Sequence, residues 1–243
     1  MNKIVFFCFL SLFLFFSCET RLVSGQEKYS DNPGTAQSYM NLLPNEYTKE
    51  HYNALCLLLQ LDRGHHSLPR KKDQFCATYS TNYGLVRPIL REIYLKGESA
   101  LPVLPHFFDK TTYLFSISGA YNIAMDEVHV VTVGQEAKNI FLRIVDPTSH
   151  GIPKRLMFEN KRQLYHDFLR GMTLEEWWKQ NKEKSLSVIQ KDILDFYIEE
   201  EKRIGFPDKE SEKTYLVPLL ELRTKLPFIN PEYLNDPTMP CHD

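Results

Sequence analysis

The sequence predicts an α+β domain that follows an N-terminal export segment, and three observations support this prediction. The chain opens with a short cationic start and then an apolar run at residues 4–16. Between residues 112 and 145, three runs rich in β-branched and aromatic residues predict an antiparallel sheet. Helical patterns precede these runs at residues 44–61 and 76–97, and they fill most of residues 159–203.

The N-terminal segment continues from its apolar run into Ser17 and Cys18. About a dozen apolar residues are too few to cross a membrane, which takes about 20. The Ser-Cys pair resembles a bacterial lipobox, in which a small residue precedes the cysteine that becomes lipidated. The resemblance implies that residues 1–17 are a signal peptide and that Cys18 carries acyl chains such as palmitate. These would anchor the protein in the bacterial cell envelope, outside the cytoplasm. An ordinary cleaved signal with an unmodified Cys18 is the alternative.

Charge and cysteine content exclude some classes of protein. The 29 basic and 31 acidic residues give a formal charge of -2, and no long run has a single sign. Nothing here favours a nucleic-acid partner or a polybasic membrane patch. The mature chain would contain Cys56, Cys76 and Cys241, an odd number, so at least one thiol should be free unless it bridges to another molecule.

Residues 18–38 are polar and rich in turn formers, and they predict a tether between the anchor and the domain. A helix follows at residues 44–61, where Cys56 is predicted as a core residue. After a loop at residues 62–72, a second helix should start at or next to Cys76 and run towards Arg87. We expect Pro88 to open a further helical segment, which Gly97 ends.

The predicted strands cover residues 112–118, 127–133 and 139–145, with a short turn at residues 134–139. An antiparallel sheet packed against the Cys76 helix is the arrangement we expect. We assign residues 39–152 to this core and residues 153–243 to a helical C-terminal extension of the same domain.

In this extension a helix is expected at residues 159–169. Thr173 with Glu176 forms a capping box for the next helix, and a longer helix covers residues 185–203. Beyond Lys225 four prolines predict an extended tail wrapped over the surface. Of the adjacent Trp177 and Trp178, we expect one ring in the core and the other over a surface groove.

One predicted strand begins near His129 and the next ends at Asp146. If the two strands are antiparallel neighbours, Asp146 returns beside His129, where its carboxylate can fix the imidazole tautomer and stabilise the imidazolium. Upstream, Cys76 lies at a loop-to-helix junction. The helix N-terminus stabilises a thiolate there and lowers the thiol pKa, as a cysteine nucleophile requires.

The order Cys76, His129, Asp146 resembles the papain-like cysteine peptidase superfamily. The similarity is closest to leader-peptide peptidases, with a cysteine at a helix start, an H-x-V-V strand and a later Asp-Pro; transglutaminase-like proteins share the order. It covers residues 74–148, about a third of the mature chain. It implies a papain-like fold with Cys76 as nucleophile, His129 as general base, Asp146 as its orienting partner and Gln74 as the nearest oxyanion donor. The implied activity is a thiol hydrolase or acyltransferase that acts on a peptide or amide bond without a cofactor.

The alternative is a non-enzymatic lipoprotein, a binding or adhesion module with a degenerate or absent site. Its helical C-terminal third would then offer the recognition surface. Adjacent His65 and His66 lack the spacing that converges two imidazoles on one ion, so no metal site is expected. The expected partners are the lipid bilayer, through the anchor, and a peptide or protein substrate. Oligomeric state is not encoded in any pattern we recognise.

Overall fold

Seven α-helices and one two-stranded sheet form the part of the chain that the computed structural model describes, residues 41–63, 81–118, 128–152 and 167–234. The architecture is α+β, as predicted, and helices predominate. In chain order the elements are α1 (Lys49–Arg63), α2 (Thr81–Leu95), β1 (Tyr113–Ser118), β2 (Val128–Thr132), α3 (Val133–Val145), α4 (Leu174–Asn181), α5 (Leu186–Ile204), α6 (Lys209–Tyr215) and α7 (Val217–Arg223). Short 3-10 helices lie at Gly97–Ala100, Leu104–Phe107, Pro147–His150 and Asp167–Leu169.

Helix α1 confirms the helix predicted at residues 44–61 and packs against α2. Its apolar side chains recur at helical spacing and are buried; they include Tyr52, Leu55, Leu58 and Leu61. Lys96, just past the end of α2, places its Nζ 2.7 Å from the Glu50 carboxylate in the first turn of α1. The start of α1 therefore lies beside the end of α2.

Helix α2 is continuous through Pro88, so the new segment predicted at this proline is wrong. A proline inside a helix removes one hydrogen bond and costs about 3 kcal/mol. Val86 and Leu90, on either side of it, are almost fully buried. Since burying each such side chain contributes roughly 1.5–3 kcal/mol, packing offsets the loss. Residues 64–80, where this helix was predicted to begin, lie outside the described residues.

Strands β1 and β2 confirm the first two predicted strands and pair antiparallel. Ile117 lies opposite His129 and Ser118 opposite Val128, and the register shifts between Tyr113 and Phe115. Helix α2 contacts β1, so a helix does pack on this sheet.

The third predicted strand, residues 139–145, and the predicted turn at residues 134–139 are wrong, because both belong to helix α3. A capping box opens the helix: the Gln135 N–H donates to the Thr132 hydroxyl, and the Thr132 N–H donates to the Gln135 side chain. Its buried residues recur at helical spacing, namely Val133, Ala137, Ile140, Phe141 and Ile144. A strand would turn these side chains alternately to two faces, so burial on one face favours the helix.

In the C-terminal part of the chain, the observed helices agree more closely with the predicted ones. The predicted capping box is present at the start of α4, where the Glu176 N–H donates to the Thr173 hydroxyl at 3.2 Å. Helix α5 follows Ser185 and ends before Gly205, close to the predicted bounds. Most of the helix predicted at residues 159–169 lies outside the described residues, and Asp167–Leu169 form a 3-10 helix. Helices α6 and α7 were not predicted.

The core is one cluster of buried apolar side chains, drawn from the sheet, from α1 to α3 and from α4, α5 and α7. Trp177 is buried in it, as predicted for one of the two tryptophans. Trp178 is half-buried, with its ring centroid 5.3 Å from that of Phe141. Within the described residues, no helix combines the length and the apolar character needed to cross a membrane.

Candidate functional site

The structure describes two of the four residues of the predicted catalytic site. His129 is the second residue of β2, and its backbone pairs with Ile117. Asp146 follows the last residue of α3. Cys76 and Gln74 lie outside the described residues, as does the predicted lipidation site Cys18.

The Asp146 side chain is 2% exposed and accepts hydrogen bonds from two neighbours. Its Oδ1 accepts from the Thr148 N–H at 3.0 Å and from the Thr148 hydroxyl, and so caps the 3-10 helix Pro147–His150. Its Oδ2 accepts from the Tyr197 hydroxyl of α5 at 3.4 Å. The Asp-Pro-Thr sequence is thus a buried capping motif that joins the end of α3 to α5.

Helix α3 separates His129 from Asp146 along the chain. At about 1.5 Å per residue, its 13 residues extend about 20 Å. All of residues 128–152 are described, and they contain no hairpin that returns Asp146 to β2. The pairing of these two residues was inferred from that hairpin, so the geometric argument for it is lost.

Gly134 lies in the first turn of α3 and not in the turn that was predicted between two strands. Its N–H donates to the Lys110 carbonyl oxygen at 2.9 Å, which draws the first turn of α3 against the loop before β1. A Cβ at this position would lie 2.4 Å from the Phe108 carbonyl oxygen and 2.7 Å from that of Lys110. The glycine therefore permits close packing of a helix; it does not form a turn.

Cys56 forms a disulfide bond. Its side chain is half-buried on α1 and packs against the core, so the prediction of a core residue holds, although the sulfur is also cross-linked. The other four cysteines lie outside the described residues. A disulfide suits a protein exported to an oxidising compartment.

The histidines form no metal site in the described part of the chain, where no group of three or more candidate ligands occurs. His65 and His66 lie outside it. His51 instead stabilises the start of α1, because its Nδ1 accepts the Thr48 N–H at 2.9 Å. Burial lowers the pKa of His51, and the nearby Glu98 opposes this effect.

A second group of polar side chains, which the sequence did not single out, holds residues 226–234. We call this segment the strap and its binding surface the strap groove, formed by Arg87, Arg91 and Tyr94 of α2 and Gln190 of α5. Gln190 is fully buried, accepts the Phe228 N–H at 2.7 Å and donates to the Phe228 carbonyl at 2.8 Å. The same amide donates to the Ile144 carbonyl at 2.7 Å.

The α2 side of the strap groove also binds main-chain atoms. The Tyr94 hydroxyl accepts the Asn230 N–H at 2.8 Å. Arg91 Nη2 donates to the Pro231 carbonyl at 3.0 Å, and Arg87 Nε donates to the Leu234 carbonyl at 2.9 Å. Burial raises the pKa of Tyr94 to about 12, so its hydroxyl stays neutral. The predicted tail does lie against α2 and α5 at these residues, but residues 231–234 form a turn and not the extended chain that was predicted.

Aromatic contacts complete the surroundings of the strap. The Tyr233 ring centroid lies 4.3 Å from that of Tyr94, and the Arg143 guanidinium of α3 lies 4.9 Å from the Tyr233 ring centroid. A sequence signal existed for one part of this site. Gln190 interrupts a buried apolar stripe of α5 that contains Ile189, Ile193 and Leu194, and a buried amide requires partners.

Comparison of the chain with protein-family models, with curated proteins and with solved structures gave no match. The protein is therefore classified by its fold alone. It is a mostly helical α+β domain with a small antiparallel sheet.

Proposed function

We propose that this protein is a membrane-anchored lipoprotein of the bacterial cell envelope whose helical domain acts outside the cytoplasm as a binding module. The observation that carries this choice is the environment of Asp146. Its buried carboxylate caps a 3-10 helix and accepts from Tyr197, at the far end of α3 from β2. These bonds give the Asp146 carboxylate a role in the fold that needs no catalytic function.

The anchor is supported by the sequence and by one cross-link. Residues 1–17 have the features of an export signal, and Cys18 is the candidate for lipidation. The disulfide at Cys56 fits the same compartment, since cytoplasmic thiols are kept reduced.

A thiol hydrolase or acyltransferase with a papain-like core is the second candidate. It is favoured by β2, which contains His129 where the resemblance requires a strand, and by the packing of α2 on β1. In this mechanism His129 deprotonates Cys76, the thiolate attacks the carbonyl of a peptide or amide, and Gln74 stabilises the oxyanion. The His129 imidazolium returns its proton to the amine, which leaves as the C–N bond breaks, and water or a second amine then attacks the thioester and releases Cys76.

The experiment that decides between the two is a disulfide map of the mature, unreduced protein by peptide mass spectrometry. A bond from Cys56 to Cys76 would occupy the nucleophile and support the binding module. A bond to Cys241 would leave Cys76 as a thiol, and a bond to Cys18 would contradict lipidation. Cys56 is cross-linked in the structure, so the map has to identify the cysteine to which it is bonded.

If Cys76 proves to be a thiol, its reactivity completes the test. An ordinary thiol has a pKa near 8.5 and is almost fully protonated at about pH 6, whereas a thiolate paired with His⁺ reacts there. A binding module predicts that a mild electrophile leaves Cys76 unlabelled in the folded protein. Rapid labelling that slows in His129→Ala, with Asp192→Ala as a control for folding, would favour the enzyme instead.

A further inference from the structure

The strap packs side chains against the core, and its main chain is also bound by hydrogen bonds from the strap groove. Five hydrogen bonds join side chains of the strap groove to backbone N–H and C=O groups of Phe228, Asn230, Pro231 and Leu234. The strap has no helix or strand of its own over residues 226–230, and residues 231–234 form a turn. Hydrogen bonds to the main chain depend little on the sequence of the bound segment, as in peptide-recognition sites.

The groove has hydrogen-bonding capacity that the strap leaves unused. Arg91 Nε is buried and has no acceptor among the described residues. Such an orphan donor is uncommon in folded proteins. Within the same part of the chain, Arg87, Arg91 and Arg143 bind carbonyl groups and an aromatic face and form no ion pair with a carboxylate. The strap contains one acidic residue, Glu232, but no ion pair joins it to Arg91 among the described residues. A ligand that places a carboxylate against Arg91 would give this guanidinium a charged acceptor.

The side chains of the strap are only partly inserted. Phe228, Ile229 and Tyr233 pack against the core while remaining half-buried, unlike the fully buried residues of α2 and α5. Removing the strap would expose less apolar surface than removing a core helix. The contacts are thus those of a bound ligand more than those of a structural element.

We propose that the strap groove is a peptide-binding site, occupied in this structure by the chain's own strap. Its ligand in function is an extended segment of another protein, with apolar side chains and at least one acidic residue. This proposal rests on the binding-module function and names its partner class. The external segment displaces the strap, because both need the same amide of Gln190 and the same hydroxyl of Tyr94.

Displacement must overcome the covalent attachment of the strap. A short flexible link gives an effective concentration of about millimolar, against which an external peptide competes. The test therefore uses the full mature chain with Phe228→Ala and Tyr233→Ala, two strap substitutions that leave all four residues of the strap groove unchanged. Circular dichroism verifies that this doubly substituted chain folds. The probe is a fluorescent peptide with the sequence of residues 226–234 (LPFINPEYL).

We expect saturable binding of this peptide, measured by fluorescence anisotropy up to a few millimolar. N-methylation of the peptide at the positions of Phe228 and Asn230 keeps every side chain and removes the two N–H donors. Each methylation should weaken binding about fivefold to tenfold. On the protein, Arg91→Met removes the donor to the Pro231 carbonyl and should weaken binding about fivefold. Lys191→Ala, an exposed neighbour of Gln190, serves as the matched control on the protein.

The unmodified chain gives a second measurement if the strap substitutions impair folding. Added peptide should accelerate hydrogen exchange of the chain's own Phe228 and Asn230 amides. The proposal is overturned if no saturable binding and no accelerated exchange occur, or if the N-methylated peptides bind as well as the parent. Dimers of the strap-weakened chain that the peptide dissociates would contradict the choice of another protein and identify a second copy as the partner. None of these outcomes affects the disulfide map or the labelling of Cys76, which test the binding module itself.

Discussion

The side-chain amide of Gln190 forms two hydrogen bonds with the backbone of Phe228, one in each direction, at 2.7 and 2.8 Å. Thirty-eight residues separate the two along the chain. The pair imitates one rung of a β-ladder with a side chain in place of a strand. It joins α5 to the strap and, through the Ile144 carbonyl, to α3.

Gln190→Leu should therefore destabilise the protein strongly. Leucine has a similar volume but leaves the Phe228 N–H and the Ile144 carbonyl without this partner, and each unsatisfied buried group costs about 1–3 kcal/mol. We expect the free energy of unfolding to fall by about 2–4 kcal/mol in urea denaturation. Lys191→Ala, on the exposed face of the same helix, should change it by less than about 0.5 kcal/mol. Equal stability of Gln190→Leu and the unmodified protein would argue against this network.

Gly134→Ala should also destabilise, although alanine normally stabilises a helix by about 0.5–1 kcal/mol relative to glycine. The added Cβ would lie 2.4 Å from the Phe108 carbonyl oxygen, and backbone atoms cannot easily move aside. A loss of about 1–3 kcal/mol is expected. Lys179→Ala, exposed on α4, provides the control and should stay within about 0.5 kcal/mol of the unmodified protein. A stabilised Gly134→Ala variant would mean that α3 does not approach the Phe108 loop.

Asp146→Ala tests whether this carboxylate supports the fold. The substitution removes the cap of the 3-10 helix and leaves the Thr148 N–H and the Tyr197 hydroxyl without their buried acceptor. We expect a loss of about 2–3 kcal/mol in thermal or chemical unfolding. Asp146→Asn keeps an acceptor for Thr148, so its free energy of unfolding should fall by less. If Asp146→Ala unfolds like Asp192→Ala, an exposed aspartate on α5, the structural role is wrong.

His51 should make stability depend on pH. Its Nδ1 accepts the Thr48 N–H, a bond that a protonated ring cannot accept, and burial lowers its pKa below the ordinary value of 6.5. The folded state therefore binds the proton less readily than the unfolded state. The contribution of neutral His51 to the free energy of unfolding is complete above about pH 6.5. It is lost as the pH falls through the lower pKa of the folded state.

The pH dependence of the unmodified protein is compared with that of His51→Gln, because glutamine can accept the same hydrogen bond without titrating. The two proteins should be similar at neutral pH, and the unmodified protein should lose up to about 1 kcal/mol relative to the variant by about pH 5. The difference isolates His51 from His106, whose pKa is also lowered by burial. Parallel pH profiles of the two proteins would contradict the role assigned to His51.

Cys18→Ser tests the proposed anchor. Because acylation of Cys18 is the proposed attachment to the bilayer, the unmodified protein should sediment with membranes and the variant should not. Fractionation followed by immunoblotting measures this, and Thr20→Ser, a conservative change two residues after Cys18, is the control. Membrane retention of the Cys18→Ser protein would reject lipidation and leave an ordinary cleaved signal.

Local chemistry in the sequence was sufficient for several elements. Thr173 with Glu176 marked the start of α4, and the apolar period between Ser185 and Gly205 marked α5. The alternation in residues 112–118 and 127–133 predicted β1 and β2. In each case the signal lies within one element, where capping and side-chain periodicity act directly.

Residues 134–145 were predicted as a short turn followed by a strand at residues 139–145, because β-branched and aromatic residues favour strands. The capping pair Thr132 and Gln135 was visible in the sequence, yet the β propensity of the run predicted a strand. Burial of one helical face against α2 and the Leu104–Phe107 turn outweighs that propensity. The candidate triad depended on this strand, so an error in one element removed the geometry assumed for His129 and Asp146.

By itself, the sequence determined the α+β class and the individual elements with strong local signals, and it predicted the export segment. Only the tertiary structure decided that Asp146 accepts a buried hydrogen bond from Tyr197, that Gly134 allows a helix to approach a loop, and that Gln190, Tyr94 and two arginines hold the strap. Each of these depends on atoms that meet from distant parts of the chain. Hydrogen bonding and steric exclusion act over a few ångströms in space, and no spacing along one sequence specifies which distant atoms come that close.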